Sequence, residues 1–322
     1  MKHKIAKALV LLLALIPAAI FGLALIPPKT AAAILDYGAL NGPAFFRGLI
    51  IWSIGHSTCT FRQSLHWPAY VEISQDAGHR LRANSKKIVE DPAARIERWV
   101  TPRGEWWIST GSEGSLFYEL WEQDEDIYGD ANIGVRPGDI VLDVGAQYGL
   151  FTRKAISRGA RTVVAIEPAP DHLECLRRNF TKEIAAGQVI LYPKGAWDKD
   201  DRIEMHRIGG DSGTYSFVGR SETGALGLHL PLTTIDKIAA ELSLPRVDFI
   251  KMDIEGAERN ALLGARAVLL QHRPRLAIAG YHRKDDPVAI PASLPAGLNY
   301  RMECRRCKQM EVFIRPEVLH FY

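Results

Sequence analysis

The sequence predicts an α/β fold: a mostly parallel sheet covered by helices on both faces, a terminal antiparallel hairpin, and an N-terminal transmembrane helix ahead of it. Three observations predict it. From about residue 136, short apolar runs alternate with segments of helical length, the pattern of parallel strands joined by crossover helices. Residues 299–303 and 311–314 then read as strands separated by a polar segment too short for a crossover, so they should pair antiparallel. Residues 8–26 run 19 positions without a charge, long enough to cross a hydrocarbon core of about 30 Å as a helix. The 322-residue chain is 47% apolar and 24% charged, a mix typical of folded domains. Its net charge of +3 is too weak a field to argue for nucleic acid.

At the N-terminus, a signal peptide competes with a retained anchor. Signal peptides carry an apolar region of about 7 to 15 residues. This run is longer and is followed by Pro27-Pro28-Lys29, so an anchor over residues 1–30 is expected. Lys2, Lys4 and Lys7 would keep the N-terminus cytoplasmic, which sends whatever follows a single span to the far side. Residues 44–55 are apolar but contain Arg47 and are too short to span. They read as half of a re-entrant hairpin, a surface helix or an ordinary core helix. Residues 31–98 form a membrane-proximal connecting region, and residues 99–322 the main domain. Cys59, Cys175, Cys304 and Cys307 are too scattered for a disulfide scaffold and read as thiols in a reducing compartment.

The helical spacing of residues 116–128 predicts a helix before the Gly129-Asp130 turn. Strands are expected at 140–144, 162–166, 189–192, 247–252 and 275–279, with helices at 171–180, 234–242 and 257–271 between them. Between the third strand and the next helix, residues 200–232 form an insertion. Its flanks at 202–206 and 229–232 alternate like strands, and Gly209 to Tyr215 resembles a loop that could select a substrate.

The chemistry sits where strands end, because ligands of open α/β sheets bind beyond the carboxyl ends of the strands. Asp143-Val144-Gly145-Ala146-Gln147-Tyr148-Gly149 follows the first strand and opens a helix. It lacks the G-x-G-x-x-G spacing of a dinucleotide loop. Its acid would repel a pyrophosphate but suits a ligand carrying an ammonium and a sulfonium. Glu167 ends the second strand, where a carboxylate can accept ribose hydroxyls. Asp253 and Glu255, two residues apart, share one face if the extended backbone persists, and could act as a general base or hold a metal. Glu258 reads as a complement to the helix dipole.

Together DVGAQYGLFT, AIEP, KGAW, FIKMDIEGAE and AIAGYHRKDDPVAIP resemble the FkbM-type methyltransferases over about residues 99–315. The resemblance implies a seven-stranded class I methyltransferase (Rossmann-like) sheet, S-adenosylmethionine as methyl donor, and O-methylation of a hydroxyl on a sugar, glycolipid or polyketide. It places Asp143, Gly145 and Gly149 along the methionine moiety with Ala146 and Gln147 beside them. Glu167 would hold the ribose, Pro168 and Ala169 would flank the adenine, and Gly195-Ala196 would approach its other face. Asp253, Glu255 and His282 would face the transferred methyl as catalytic residues. Family members commonly have Asn at the position of Gln147, and Cys304-Arg305-Arg306-Cys307 departs from their usual pattern. With no third metal ligand evident, a metal-independent reaction is expected. S-Adenosylmethionine is a cytosolic metabolite, so the expected protein is membrane-anchored with its catalytic domain facing the cytosol, acting on a hydroxylated small molecule, a glycan or a lipid-linked acceptor. A nicotinamide-dependent oxidoreductase and a non-catalytic membrane-bound pseudoenzyme are the alternatives.

Overall fold

The computed structural model describes residues 28–208, 214–216 and 225–322. The chain divides into two compact units: Met1–Ala69 with Gln309–Ile314, and Tyr70–Lys308 with Arg315–Tyr322. In the first unit, helices run over Pro28–Asn41, Ala44–Ser53 and Phe61–His66. The last begins at a capping box: the Thr60 hydroxyl accepts from the Gln63 backbone N–H, and the Gln63 side chain accepts from the Thr60 N–H.

The expected membrane anchor is corrected here. Among the described residues no helix is long and apolar enough to cross a membrane. The 14-residue and 10-residue helices at Pro28–Asn41 and Ala44–Ser53 fall short of the roughly 20 residues a span needs. The apolar run at 8–26 lies outside the described residues. Membrane anchoring and the transmembrane helix are therefore not retained. The reading of four thiols is also corrected, because Cys59 and Cys307 are disulfide-bonded, whereas Cys175 and Cys304 are not.

The second unit opens with an antiparallel sheet of β1 (Lys86–Asp91), β2 (Ile96–Thr101) and β3 (Gly104–Ser109), followed by the helix Glu113–Asp124. Strands β4 (Ile140–Val144), β5 (Thr162–Ile166) and β6 (Val189–Tyr192) come next. The insertion holds β7 (Gly195–Ala196), β8 (Asp201–Ile208), β9 (Thr214–Ser216) and β10 (Ala225–Thr233). Its expected flanking strands form, with β8 antiparallel to β10. The loop expected from Gly209 to Tyr215 lies largely outside the described residues, apart from Thr214 and Tyr215 in β9. The remaining strands are β11 (Phe249–Met252), β12 (Arg275–Ala279), β13 (Met302–Cys304) and β16 (Val318–Phe321), together with β14 (Cys307–Met310) and β15 (Phe313–Pro316), whose residues 309–314 belong to the first unit.

The central sheet has seven strands in the order β13-β16-β12-β11-β4-β5-β6. Its five β4, β5, β6, β11 and β12 neighbours pair parallel, and β16 pairs antiparallel with both β12 and β13. The antiparallel ending was expected, but its second strand is Val318–Phe321 rather than residues 311–314. Of the latter, only Phe313 and Ile314 fall in a strand, β15, which pairs with β14 in a separate two-stranded sheet. The buried row Val318, Leu319, His320 and Phe321 meets the core, whereas Glu311 is exposed. The helix expected over 257–271 is broken into Glu258–Leu263 and Arg266–His272. At the break, a Cβ on Gly264 would lie 2.0 Å from the Trp197 carbonyl oxygen, so only glycine lets the chain pass there.

Alternation along the parallel strands feeds two cores. Leu142, Val144, Val164, Ile166, Ile250 and Met252 pack with Ile235, Leu262 and Leu269 on one face. Val141, Val163 and Phe249 pack with Phe151 and Ala155 on the other. Each fully buried aliphatic side chain contributes about 1.5 to 3 kcal/mol. The register has a functional consequence: Val144 is paired with both Ile166 and Met252, so the residues that follow, Gly145, Glu167 and Asp253, leave the sheet along one rim.

Candidate active site

At that rim lies a cavity of about 240 Å³, somewhat below the roughly 300–1,000 Å³ typical of small-molecule sites. The first wall is the turn after β4. Gly145 has φ +80°, and a Cβ there would lie 2.1 Å from the Asp253 carbonyl oxygen. Gln147 also has a positive φ, +48°, uncommon for a residue with a side chain and typical of turns built for function. Its backbone N–H donates to Glu167 Oε2 at 2.9 Å, while the Ala169 N–H donates to Oε1 at 2.9 Å. Glu167 is thereby locked at the cavity edge with His172 beside it, 3.4 Å from Oε1.

Of the residues expected to bind cofactor, Gly145, Ala146, Gln147, Glu167, Pro168, Gly195 and Ala196 line the cavity. Asp143, Gly149 and Ala169 are not among the lining residues. Asp143 is fully buried under the turn, where its Oδ2 accepts from the Thr152 hydroxyl at 2.6 Å and its Oδ1 lies 3.2 Å from Lys251 Nζ. Lys251 in turn donates to the Gly145 carbonyl at 2.6 Å. Burial alone would lower the Lys251 pKa, but Asp143 and Asp253 outweigh it and hold the ammonium charged. In this structure Asp143 therefore shapes the turn through Lys251.

The opposite wall holds the expected catalytic group. Asp253 and Glu255 line the cavity, and His282 lies behind them, with Nε2 3.4 Å from Asp253 Oδ1 and 3.3 Å from Glu255 Oε2. Glu255 sits at φ +55°, a left-handed turn that aims its side chain back at the same point. The extended backbone expected through Glu255 ends at Met252, so this turn brings the two carboxylates together. Burial opposes the Asp253 charge, yet His282, Lys251 and the Tyr128 hydroxyl hold its pKa below the ordinary value. Burial raises Glu255 to about 7 against the pull of His282. The buried His282 is raised to about 10 by Glu258, Glu255 and Asp253.

Sequence reasoning missed part of this wall. Glu258 is fully buried, accepts the backbone N–H groups of Ile254 and Gly256, and stands 3.0 Å from His282 Nδ1. The Tyr128 hydroxyl donates to Asp253 Oδ2 at 2.6 Å. From the helix Glu113–Asp124, Tyr118, Glu119 and Glu122 also line the cavity. Burial lifts Glu119 to about 8 and Glu122 to about 7. The available signal was Glu119 and Glu122 at i,i+3 spacing among apolar residues, placing two acids on the buried side of a helix.

The cavity thus sets five carboxyl groups, Glu119, Glu122, Glu167, Asp253 and Glu255, beside one ammonium, Lys251, with burial holding protons on Glu119, Glu122 and Glu255 up to about pH 7 to 8. A cationic ligand would draw those protons off, whereas a pyrophosphate would meet acidic groups on every side.

Residues 143–302 match the family model described as the Methyltransferase FkbM domain. The 31-O-demethyl-FK506 methyltransferase FkbM of Streptomyces tacrolimicus is 26% identical over 185 residues, 49% of this chain and 70% of that protein. The AMB antimetabolite synthetase AmbE of Pseudomonas aeruginosa is 26% identical over 234 residues, 61% of this chain but only 10% of that much longer protein. A solved methyltransferase FkbM from Methylobacillus flagellatus KT aligns at 20% identity and a TM-score of 0.45, over 79% of this chain and 59% of its own length. The family match supports S-adenosylmethionine as the cofactor. It begins at the Asp143 turn and ends at the first residue of β13, so it takes in both walls built from strand ends, and over that stretch the chain matches the FkbM-type methyltransferases.

Proposed function

We propose that this protein transfers a methyl group from S-adenosylmethionine to a hydroxyl of a small glycan, glycolipid or polyketide-like acceptor. The observation that carries the reading is the two-sided cavity, with a glycine turn and an anchored glutamate on one wall and a carboxylate–imidazole group on the other. The name of the Streptomyces relative specifies an O-methylation, which favours an oxygen acceptor here.

The residues present fit the cofactor. Gly145 lets the turn after β4 pack directly against the Asp253 backbone at the cavity rim, Glu167 offers a carboxylate at the ribose position, and the acidic lining complements a sulfonium and an ammonium. Bound S-adenosylmethionine supplies a methyl already activated on sulfur. Asp253 and Glu255 would orient the acceptor hydroxyl, and one of the two would accept its proton as the methyl is transferred. Positioning of this kind, with water excluded, supplies most of the acceleration such a reaction needs, and a placed base adds about 10²- to 10⁴-fold. Glu119, Tyr118 and Tyr281 form a polar and aromatic wall suited to a hydroxylated acceptor.

Calorimetric titration of the full chain with S-adenosylhomocysteine, with NADH alongside, tests the reading. Saturable thioether binding that is lost in Glu167→Ala supports it. Binding of NADH alone would replace it with the oxidoreductase, and binding of neither by a folded chain would leave a non-catalytic protein.

A further inference from the structure

The acceptor side of the cavity is built largely from outside the stretch that matches the family. Residues 143–302 hold the glycine turn, Glu167, Asp253 and Glu255. Tyr118, Glu119 and Glu122 precede that stretch, and Lys308, directly after Cys307, follows it. Lys308 Nζ lies 4.2 Å from the centroid of the Tyr281 ring, 4.8 Å from that of Tyr118 and 3.6 Å from Glu122 Oε1. These three partners line the cavity, whereas Lys308 is not among the lining residues. The ammonium therefore stands behind the wall and reaches three of its side chains.

We propose that Lys308 is a positioning residue of the acceptor wall, fixing Tyr118, Glu122 and Tyr281 as one surface and serving as the counter-ion of Glu122. A cation within about 6 Å of an aromatic centroid is held by the negative face of the ring. Lys308 meets that distance with two rings at once, so neither ring can turn away without giving up a shared anchor. Its side chain is 18% exposed and that of Glu122 is 7% exposed. An ammonium so far removed from water needs rings and opposite charges to offset its lost hydration. Tyr281 carries the arrangement on toward the base. Its ring centroid lies 4.3 Å from that of His282, and its backbone carbonyl accepts from Arg315 at 2.7 Å.

The surrounding charges agree with that role. Burial would lower the Lys308 pKa, but Glu122, Glu317, Asp253 and Glu255 outweigh it and keep the ammonium charged. Burial lifts Glu122 to about 7, with Glu317 and Asp253 adding repulsion, while Lys308 and the Tyr118 hydroxyl pull it down. Lys308 also lowers Asp253 and Glu255, the two carboxyl groups nearest His282 on the opposite wall. Without the ammonium, Glu122 would keep its proton well above about pH 7. The consequence is one of hydrogen bonding. An ionised Glu122 only accepts, which suits hydroxyl donors on an acceptor, whereas a protonated one also donates. Naming this wall for the acceptor rests on the methyl-transfer reading; the coupling of Lys308 to Glu122 does not.

The test reads that coupling from both partners in the full chain. With glutamate labelled by ¹³C at the side-chain carboxyl, and the Glu122 signal assigned by its loss in Glu122→Gln, NMR follows the Glu122 midpoint against pH. Lys308→Met should raise that midpoint by about 1 to 3 units, the usual effect of an opposite charge at this range. Lys308→Arg keeps the charge and should leave the midpoint close to that of the unsubstituted chain. In the reverse direction, with lysine labelled at Cε, the Lys308 midpoint should fall in Glu122→Gln, because a coupling is the same from either side. That arm decides the matter if Lys308→Met does not fold, as circular dichroism would show. S-Adenosylhomocysteine should bind Lys308→Met as it binds the unsubstituted chain. Loss of thioether affinity there would place Lys308 at the cofactor and overturn its assignment to the acceptor wall. Midpoints indifferent to both substitutions in folded variants overturn the pairing itself. The coupling without thioether binding by the unsubstituted chain would instead overturn the methyl-transfer reading and leave the Lys308–Glu122 pair standing.

Discussion

The two walls of the cavity are built in different ways. On the Glu167 wall, the polar groups are satisfied by neighbouring backbone: Gln147 and Ala169 N–H groups hold Glu167, and the Gly145 turn lies over the Lys251–Asp143 pair. On the Asp253 wall, side chains answer side chains across long stretches of sequence, with Tyr128, Glu255, Glu258 and His282 converging on one carboxylate group. The first is held mainly by contacts between residues close along the chain. The second joins residues distant in sequence and raises Glu255 to about 7 and His282 to about 10, so it can be tuned.

The largest expected effect breaks the tunable wall alone. Asp253→Asn should lower kcat about 10²- to 10⁴-fold while thioether affinity changes little; a parallel loss of affinity would mean that the walls are not separable. Next, Lys251→Ala leaves Asp143 buried without its cation. It should cost about 3 to 5 kcal/mol of stability in urea denaturation, because an orphaned buried charge is worse than an intact pair.

A smaller effect sharpens the contrast through pH. Burial raises Glu119 from 4.5 to about 8, so the folded state keeps a proton that the unfolded chain releases. The folded chain then binds more protons, and this contribution to stability, full below about pH 4.5, falls as pH rises toward 8. Thermal melts between pH 5 and 8 should show a shallower decline in Glu119→Gln, with the slope due to Glu122 remaining. An unchanged slope would remove Glu119 from the titrating wall. Smallest of all, Thr60→Ala should cost about 1 kcal/mol by removing a helix cap in the other unit, with no change in ligand affinity.

The same division explains what could be read from the chain. The Glu167 wall was legible because each of its parts follows a strand directly: Gly145 after β4, Glu167 after β5 and Gly195 soon after β6 are local facts of pattern. Asp143 belonged to the same motif, but whether it faces a ligand or a lysine depends on Lys251, a register partner on another strand. Glu258 looked like a helix-dipole residue for the same reason, since its partner His282 lies one helix pair and one strand further on. The terminal strand was expected at 311–314, where Glu311 is exposed; all four residues of Val318–Phe321 are buried, and it is they that pair with β12.

The sequence by itself determined the alternation of strands and helices, the family, the glycine turn and the carboxylates at the strand ends, because hydrophobic period and turn chemistry act between residues close along the chain. Only the tertiary structure decided which of those carboxylates face the cavity, which strand closes the sheet, and that Glu258 stands against His282. Those outcomes depend on burial and on contacts between distant residues, and burial is a property of the packed molecule that no local pattern contains.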